Sequence, residues 1–292
     1  MKVSVIGLGK MGHSITLNLL KKGVIVVGYD LDDDTFDQFK TYNNFSRAQK
    51  VEECYIEQDF ILLSLPTGKE VYQTIQSVPN ERCQSIILDT TTEGLRESRS
   101  VVSLTEKKNL KYLTCRIDRN PIEAENGNLA IYVGGNKDLF VNAEKLLSLM
   151  GEYIYVGNHD QSTLLKLSGN MIGNANNLSL AEIAPALLRT GIDAEILLKA
   201  LAMGGAYSSE MEYRLKGMLT NNIRSSFSLK NAQHVIQSAL DSFKDFGIEE
   251  LPTTKLRNTL MKAAITMNIG KNDSSEIVKL FLDLNKTSSS LN

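Results

Sequence analysis

Short runs of branched and aliphatic residues alternate with longer amphipathic stretches over the first half of the chain. Runs of this kind, bounded by turn residues, are typical of buried strands. They occupy residues 2–6, 24–29, 60–65, 85–88, 111–117, 129–133 and 153–156. Apolar positions at helical spacing lie between several of them, at residues 13–22, 92–108 and 137–149. This alternation predicts a doubly wound, Rossmann-like α/β domain that ends near residue 160.

The second half of the chain shows only the helical spacing of apolar residues. Its first element is a long stretch at residues 162–189 with few helix-breaking residues before Pro185. At 1.5 Å per residue, a helix of this length would span roughly 40 Å, enough to join two domains. Further helices are predicted at residues 194–203, 210–219, 228–246, 253–267 and 274–284. We therefore expect a Rossmann-like domain at residues 1–160 and an all-helical domain at residues 161–292, joined by a long interdomain helix.

The composition is that of an ordinary soluble globular protein, with 42% hydrophobic and 23% charged residues among 292. A formal net charge of −2 gives no basic surface for nucleic acid. No apolar run approaches the ~18 residues that a membrane span needs, and the chain begins with a strand pattern rather than a signal peptide. The three cysteines lack metal-ligand spacing. They predict reduced thiols in a cytoplasmic protein that binds no metal.

The first predicted strand is followed directly by a glycine-rich turn and a helix. The turn reads Gly7, Leu8, Gly9, Lys10, Met11, Gly12. In a strand–GxGxxG–helix context the first glycine permits a tight turn, the second lets a pyrophosphate approach the backbone, and the third allows close helix–strand packing. The helix N-terminus adds free N–H groups and the positive end of its dipole. We interpret these six residues as a dinucleotide-binding turn, in preference to glycines that only shape the backbone.

An acidic residue, Asp30, ends the second predicted strand. A carboxylate at this position of a dinucleotide-binding fold accepts hydrogen bonds from the adenosine ribose hydroxyls. Aspartates follow at residues 32–34, and no arginine stands nearby in the sequence to hold a 2′-phosphate. The sequence therefore predicts NAD as the cofactor, in preference to NADP.

Two further predicted strands end in residues that we expect near the cofactor. One ends at Leu65 and Pro66, and the other is followed by the sequence DTTT, which contains Thr91 and Thr92. A cofactor lies at the carboxyl ends of the strands in an open parallel sheet. The two threonines are candidates for hydrogen bonds to the nicotinamide end, although threonines at such positions are also common helix caps.

Polar residues form a stripe along the long predicted helix. Lys166, Asn170, Asn174 and Asn177 follow one another at steps of four, four and three, so they share one face. A solvated helix face explains this spacing as well as a functional site does. The sequence on either side decides between the two.

Nearly the whole chain resembles the β-hydroxyacid dehydrogenase superfamily, which includes 3-hydroxyisobutyrate dehydrogenase and tartronate semialdehyde reductase. GLGKMGHSITLNLL at residues 7–20 is similar to its opening turn, and DTTT to its nicotinamide-side loop. Lys166 and Asn170 match the catalytic lysine and the asparagine one turn later, and Lys230 starts a segment similar to a conserved lysine motif. The resemblance implies that Lys230 reaches the cofactor cleft, unless it is an exposed helix lysine. It also implies a homodimer or homotetramer.

The match is only partial in the substrate loop. The family's D-x-P-V-S-G-G segment falls on TCRIDRN, residues 114–120. Asp118 and Arg119 stand where relatives have serine and glycine to hold a carboxylate, and Asn120 follows. An arginine there suggests a strongly anionic head group such as a sulfonate, as in the sulfolactaldehyde reductase branch. Alternatively, Arg119 pairs with Asp118 or with Glu123.

These observations predict an NADH-dependent enzyme that interconverts a small anionic semialdehyde with its hydroxy acid or hydroxysulfonate. Lys166 would exchange a proton with the substrate oxygen, and Asn170 would orient the substrate or the lysine. Asp118, Arg119, Asn120 and Asn174 complete the predicted substrate-binding residues. The first choice of substrate is 3-sulfolactaldehyde, with 3-hydroxyisobutyrate, tartronate semialdehyde and succinic semialdehyde types as alternatives. Imine reduction and non-catalytic NAD binding are the competing functions.

Overall fold

The computed structural model describes residues 1–79, 83–223 and 227–288. The chain divides into two compact units, Met1–Lys166 and Leu167–Asn292. The division falls inside the long helix, directly after Lys166, whereas the sequence pattern predicts a domain boundary at residue 160.

An eight-stranded sheet organises the first unit, as predicted for a Rossmann-like domain. Its strands in sheet order are β3, β2, β1, β4, β5, β6, β7 and β8, and every pair is parallel except β6 with β7. The carboxyl ends of β1 to β6 therefore meet at one edge of the sheet, where a cofactor lies in such folds. The bounds are β1 (Lys2–Ile6), β2 (Ile25–Tyr29), β3 (Phe45–Arg47), β4 (Phe60–Leu63), β5 (Ile86–Asp89), β6 (Lys111–Asp118), β7 (Leu129–Gly135) and β8 (Gly151–Gly157).

Helices cover the strands of this unit: α1 (Lys10–Lys21), α2 (Gly68–Ser77), α3 (Leu95–Lys107), α4 (Pro121–Glu125) and α5 (Lys137–Met150). Two 3₁₀ segments, Asp33–Phe39 and Val51–Tyr55, complete it. Helix α3 begins three residues later than predicted. Its entry is fixed at Gly94, whose backbone N–H donates to the Glu97 side chain at 3.3 Å. The residues from Thr90 to Gly94 are thereby left as an extended loop at the sheet edge.

Both faces of the central strands are buried. Along β4, Phe60 and Leu62 belong to one apolar cluster, whereas Ile61 and Leu63 belong to another on the opposite face. This pattern is expected for parallel strands covered by helices on both sides. The three cysteines are free and buried in the same two clusters, Cys54 and Cys83 in one and Cys115 in the other.

Helix α6 (His159–Leu188) begins in the first unit and continues into the second, where Pro185 lies within it. The second unit continues with α7 (Ala194–Ala202), α8 (Lys216–Thr220), α9 (Leu229–Lys244), α10 (Pro252–Ala264) and α11 (Val278–Ser288). The predicted helix at 210–219 contains a π-helical turn at Met211–Leu215. The predicted helix at 253–267 is followed from Ile265 by a second one, Ile265–Ile269, and a 3₁₀ turn, Ser274–Ile277, precedes α11. An apolar cluster forms the core of the second unit, with residues such as Leu178, Ala181, Leu229, Ile236, Met261 and Ile277.

The described residues of the second unit form no sheet beyond one isolated bridge, between Ser228 and Asp273. The predicted fold class, a Rossmann-like domain followed by an all-helical region, is confirmed. Among the described helices, none combines the length and apolar character needed to cross a membrane.

Candidate active site

The three glycines of the turn after β1 differ in what surrounds them. Gly7 has φ +93°, and a methyl group there would lie 2.3 Å from the Ser64 carbonyl oxygen. A methyl group at Gly12 would lie 1.9 Å from the Gly7 carbonyl oxygen. At Gly9, which is exposed, no described atom comes within 4 Å of that position. Gly7 and Gly12 are therefore required by packing, whereas Gly9 keeps the backbone open to a ligand.

Helix α1 presents its N-terminus at this open position. Gly9 is its N-cap and offers no side-chain hydrogen bond, and the first turn, Lys10 to His13, contains no acidic residue. The first backbone N–H groups of a helix lack intrahelical partners. An anion such as a pyrophosphate satisfies them and the helix dipole together. The residues present therefore fit a dinucleotide.

Asp30 is fixed beside this turn by two backbone groups. Its Oδ2 accepts from the Leu8 N–H at 2.6 Å, and its Oδ1 accepts from the Asp32 N–H at 2.9 Å. The carboxylate thus holds a set position at the end of β2, next to the glycine turn. This is the position from which a carboxylate reaches ribose hydroxyls.

The structure also brings an arginine to this region, which the sequence analysis missed. Arg47 ends β3, and its guanidinium pairs with Asp33 and stacks 4.2 Å from the Phe36 ring centroid. The expectation that no arginine lies nearby is therefore wrong for the folded chain. The guanidinium of this arginine is, however, already paired with Asp33. A strand of three residues, β3, places Arg47 here, and so short a strand leaves almost no pattern in the sequence.

The predicted nicotinamide-side residues lie together at the sheet edge. The Leu65 N–H donates to the Thr91 Oγ1 at 3.1 Å, which joins the loop after β4 to the loop after β5. Thr91 is buried, and its own N–H donates to the Asp89 Oδ1 at 3.0 Å. Pro66 is exposed and Thr92 half-buried. Thr92 lies in the extended loop rather than in α3, so it is not an N-cap.

Lys166 is buried in the first unit, at 8% exposure. Its Nζ donates to the Asp118 Oδ1 at 3.1 Å. The same oxygen accepts from the Arg119 N–H at 3.0 Å, which helps to orient the carboxylate. The structure therefore joins the predicted proton-transfer residue to the substrate loop through an ion pair, with the Asp118 side chain 37% exposed.

Arg119 points elsewhere. Its backbone has φ +80°, and its guanidinium donates to the Asn128 carbonyl at 2.6 Å and to the Glu152 carboxylate at 3.3 Å. Asp118 pairs with Ala130, which pairs with Glu152, so the acid on β8 is two strands from Asp118. Neighbouring strands lie about 4.8 Å apart, so the partner of the Arg119 guanidinium on β8 lies roughly 10 Å from Asp118 along the sheet. The predicted substrate-head role of Arg119 loses its geometric support.

The acid that pairs with the Arg119 side chain is Glu152, and neither of the two predicted alternatives, Asp118 and Glu123. Asn120 is the N-cap of α4, and its Oδ1 accepts from the Glu123 N–H at 3.1 Å. Its side-chain carbonyl therefore stabilises the fold, and its predicted substrate contact stays a prediction.

The remaining predicted site residues belong to the second unit. Asn170 is half-buried on α6, one turn after Lys166. The Asn174 Nδ2 lies 3.4 Å from the Met261 Sδ, while its Oδ1 is buried without a partner among the described residues. Lys230 is an exposed residue in the first turn of α9, and its backbone N–H donates to the Gly270 carbonyl at 2.9 Å.

A buried charge cluster around Arg116, on β6, was missed by the sequence analysis. Its Nη1 donates to the Asp89 Oδ2 at 2.8 Å and to the Thr91 carbonyl, and its Nη2 donates to the Glu93 Oε1. The Tyr112 hydroxyl donates to the same Asp89 oxygen at 2.8 Å. The one signal in the sequence was an arginine inside an otherwise apolar strand run, since such a residue needs buried acids.

Burial controls protonation in this cluster. It raises the pKa of Glu93 to about 7, an effect that the Asp89 charge reinforces and the Arg116 charge opposes. Burial and the positive charge of Arg116 lower the pKa of His159 to about 4. His159 packs against the Tyr112 ring at 5.6 Å between centroids. It is therefore a neutral residue at physiological pH.

Two family models match the chain in succession. The NAD binding domain of 6-phosphogluconate dehydrogenase matches residues 2–157, and the NAD-binding domain of NADP-dependent 3-hydroxyisobutyrate dehydrogenase matches residues 161–281. The chain belongs to the β-hydroxyacid dehydrogenase superfamily. The predicted membership is thus confirmed.

Individual members of the superfamily are similar over most of their length. A 2-(hydroxymethyl)glutarate dehydrogenase from Eubacterium barkeri is 25% identical, over 96% of this chain and 94% of the relative. The mitochondrial 3-hydroxyisobutyrate dehydrogenase of Mus musculus is 27% identical, over 91% and 80%. The crystal structure of a 3-hydroxyisobutyrate dehydrogenase from Salmonella typhimurium superposes with a TM-score of 0.86 at 16% identity, over 96% of this chain and 100% of that one. This last likeness shows the shared fold.

As a member of the β-hydroxyacid dehydrogenase superfamily, the chain is a nicotinamide-dependent dehydrogenase that acts on a CH–OH group. The open position at Gly9 and the uncapped start of α1 agree with that cofactor. The structure therefore connects a dinucleotide turn with a buried lysine in one unit.

Proposed function

We propose that this chain interconverts a small anionic semialdehyde and its 3-hydroxy acid, with NADH as the preferred reductant. The observation on which this rests is the buried Lys166, whose Nζ donates to Asp118 at 3.1 Å at the end of β6. A lysine that is shielded from water and held in one position suits proton transfer to a reacting oxygen.

The chain contributes position and a proton. A bound nicotinamide supplies the hydride that reduces the carbonyl carbon, or accepts it in the reverse direction. Lys166 as an ammonium donates a proton to the oxygen on which negative charge develops, and as a neutral amine it accepts that proton in the oxidation. Asp118 fixes the Nζ so that the proton does not have to be brought into place during the reaction. Asn170, one turn later, orients the substrate or the lysine.

The preference for NADH is supported by the acids at the end of β2. A 2′-phosphate beside Asp30 would make a like-charge contact, which can cost several kcal/mol. Arg47, which the structure brings to this region, is paired with Asp33, and Lys40 in the same pocket is paired with Asp37. The residues around the adenosine ribose therefore favour a cofactor with two free ribose hydroxyls, which is NADH.

The substrate head is proposed to be a carboxylate. A sulfonate was the first expectation because of Arg119, and the pairing of Arg119 with Glu152 removes that reason. The named relatives act on 3-hydroxyisobutyrate and 2-(hydroxymethyl)glutarate, both of which are 3-hydroxy acids with a substituent at the second carbon. Methylmalonate semialdehyde is therefore the first choice. Tartronate and succinic semialdehydes and 3-sulfolactaldehyde are the alternatives.

The decisive experiment combines one variant with a panel of these four aldehydes and a cyclic imine. Lys166→Ala should lower kcat by about 10²–10⁴-fold, the usual loss when a positioned proton donor is removed. Its affinity for NADH, measured by titration of NADH fluorescence, should stay at the wild-type value. Lys107→Ala, an exposed lysine of α3, is the matched control. Near-wild-type turnover in Lys166→Ala, or turnover of the imine alone, would refute the proposal.

A further inference from the structure

One guanidinium contacts four separate segments of the first unit. Arg116 is 1% exposed, so its donors have no access to water. Its Nη2 donates to the Ser98 Oγ of α3 at 3.0 Å, and its Nε donates to the Thr163 Oγ1 of α6 at 3.3 Å. Together with its bonds to Asp89, at the end of β5, and to Thr91 and Glu93 in the following loop, these contacts use all three nitrogens of the fork.

Two of these segments belong to the proposed active site. The loop from Thr90 to Gly94 is the predicted nicotinamide-side loop, and Arg116 holds it by the Thr91 carbonyl and the Glu93 carboxylate. Thr163 lies three residues before Lys166 on α6, which places the two side chains on one face of the helix. Arg116 is therefore the link between the loop beside the nicotinamide and the helix that carries the proton donor.

Stability alone does not account for this cluster. An apolar core of the same volume is often at least as stable as a buried set of charges, because the charges lose their hydration. The planar guanidinium, in contrast, fixes several acceptors at set angles. The Glu93 Oε2 has no hydrogen-bond partner among the described residues and lies against Gly68, where a methyl group would be only 2.2 Å away. The cluster therefore leaves one Glu93 oxygen without a hydrogen bond, while the Arg116 guanidinium keeps its full set of acceptors.

We propose that Arg116 is a positioning residue, which sets the nicotinamide-side loop and the helix of Lys166 in their working relation. It acts through the Thr91 carbonyl, Glu93 and Thr163, and touches no reacting atom. This inference rests on the proposed function, since it takes the loop to be next to the nicotinamide and Lys166 to be the proton donor.

The test compares the affinities of two ligands for Arg116→Lys. Lysine keeps the positive charge but has a single nitrogen, so it cannot replace the hydrogen bonds that the three guanidinium nitrogens donate. The affinity for NADH should fall about tenfold, the equivalent of one lost hydrogen bond. The affinity for ADP-ribose, which lacks the nicotinamide, should not change. A displacement of about 1 Å in a reacting group can lower a rate by about 100-fold, so kcat should fall by about 10- to 100-fold.

Two further variants separate this role from a structural one. Arg99→Lys alters another arginine that bridges α3 and α6, since Arg99 of α3 pairs with Asp160 of α6 at 2.8 Å on the surface. It should leave the ratio of the two affinities and kcat within about twofold of wild type, as is typical of surface pairs. Thr163→Val removes the bond of Arg116 to α6 and, with it, the 3.1 Å bond between the Thr163 Oγ1 and the Ser98 Oγ of α3, while the other bonds of Arg116 remain. It should lower kcat several-fold and leave the ratio unchanged.

The outcomes are distinct. Equal losses of NADH and ADP-ribose affinity in Arg116→Lys, or an unchanged kcat in the folded variant, would overturn the positioning role. If Arg116→Lys does not fold, Thr163→Val decides alone, and an unchanged kcat there has the same meaning. Failure of the wild-type protein to bind NADH, or full activity in Lys166→Ala, would refute the proposed function instead.

Discussion

Glu93 is an acid that folding makes less acidic, and this gives the stability of the protein a pH dependence of known sign. Its carboxyl group faces Arg116 from β6, Asp89 from β5, Ser98 from α3 and Gly68 from α2. Burial raises its pKa from 4.5 to about 7. The protonated form is therefore favoured by the folded state. Its contribution to stability is fully present below pH 4.5 and is lost as the pH rises through 7.

Glu93→Gln keeps the shape and an acceptor for Arg116 but removes the proton equilibrium. The two pKa values differ by 2.5 (7 − 4.5). At 1.36 kcal/mol per pKa unit the full effect is about 3 kcal/mol, most of which falls between pH 5 and pH 8. The free energy of unfolding of the wild type, relative to Glu93→Gln, should therefore decrease by most of that amount over this range.

Urea unfolding followed by circular dichroism at several pH values measures this difference. Glu106→Gln, an exposed glutamate of α3, the helix that follows the loop of Glu93, is the matched control and should show no comparable trend. A difference between wild type and Glu93→Gln that stays constant from pH 5 to pH 8, or that grows with pH, would refute the reasoning. The second result would mean that Arg116 dominates and holds Glu93 ionised.

Three other outcomes are expected. Gly9→Ala should fold like the wild type and bind NADH at least tenfold more weakly, since its methyl group would occupy only the space of the ligand. Gly12→Ala should lose the fold, because its methyl group would lie 1.9 Å from a carbonyl oxygen. Thermal melts and NADH titration distinguish the two variants. The ratio of kcat/KM for NADH to that for NADPH should exceed about ten, and a ratio below one would contradict the role of Asp30. Arg119→Ala should change KM for an anionic aldehyde less than about threefold, because its guanidinium is engaged in a surface pair; a tenfold rise would restore the sulfonate hypothesis.

The sequence predicted what depends on local pattern. The strand runs and the GxGxxG turn are periodic or contiguous, so β1, α1 and the position of Asp30 could be assigned without a structure. Helix α2 was missed, since only Val71 and Ile75 among its apolar residues are fully buried and the amphipathic pattern is short. Strand β3 was missed for the same reason, and with it Arg47.

What the sequence could not supply is the pairing of distant charges. Arg116 meets Asp89 and Glu93 because β5 and β6 are neighbours in the sheet, and Arg119 meets Glu152 because β7 and β8 are. The partner of each arginine follows from topology, which no local pattern contains. The homodimer or homotetramer, the cytoplasmic location and the domain boundary at residue 160 stay predictions, as do the individual ligand contacts.

The distribution of the cysteines has an experimental use. All three, Cys54, Cys83 and Cys115, belong to the first unit, and the second unit contains none. Burial raises the pKa of each thiol, that of Cys54 to about 12, so the reactive thiolate is scarce while the first unit is folded. The rate of thiol labelling therefore reports openings of the first unit alone. Slower labelling in the presence of NADH would measure, without any substrate, how much the dinucleotide stabilises that unit.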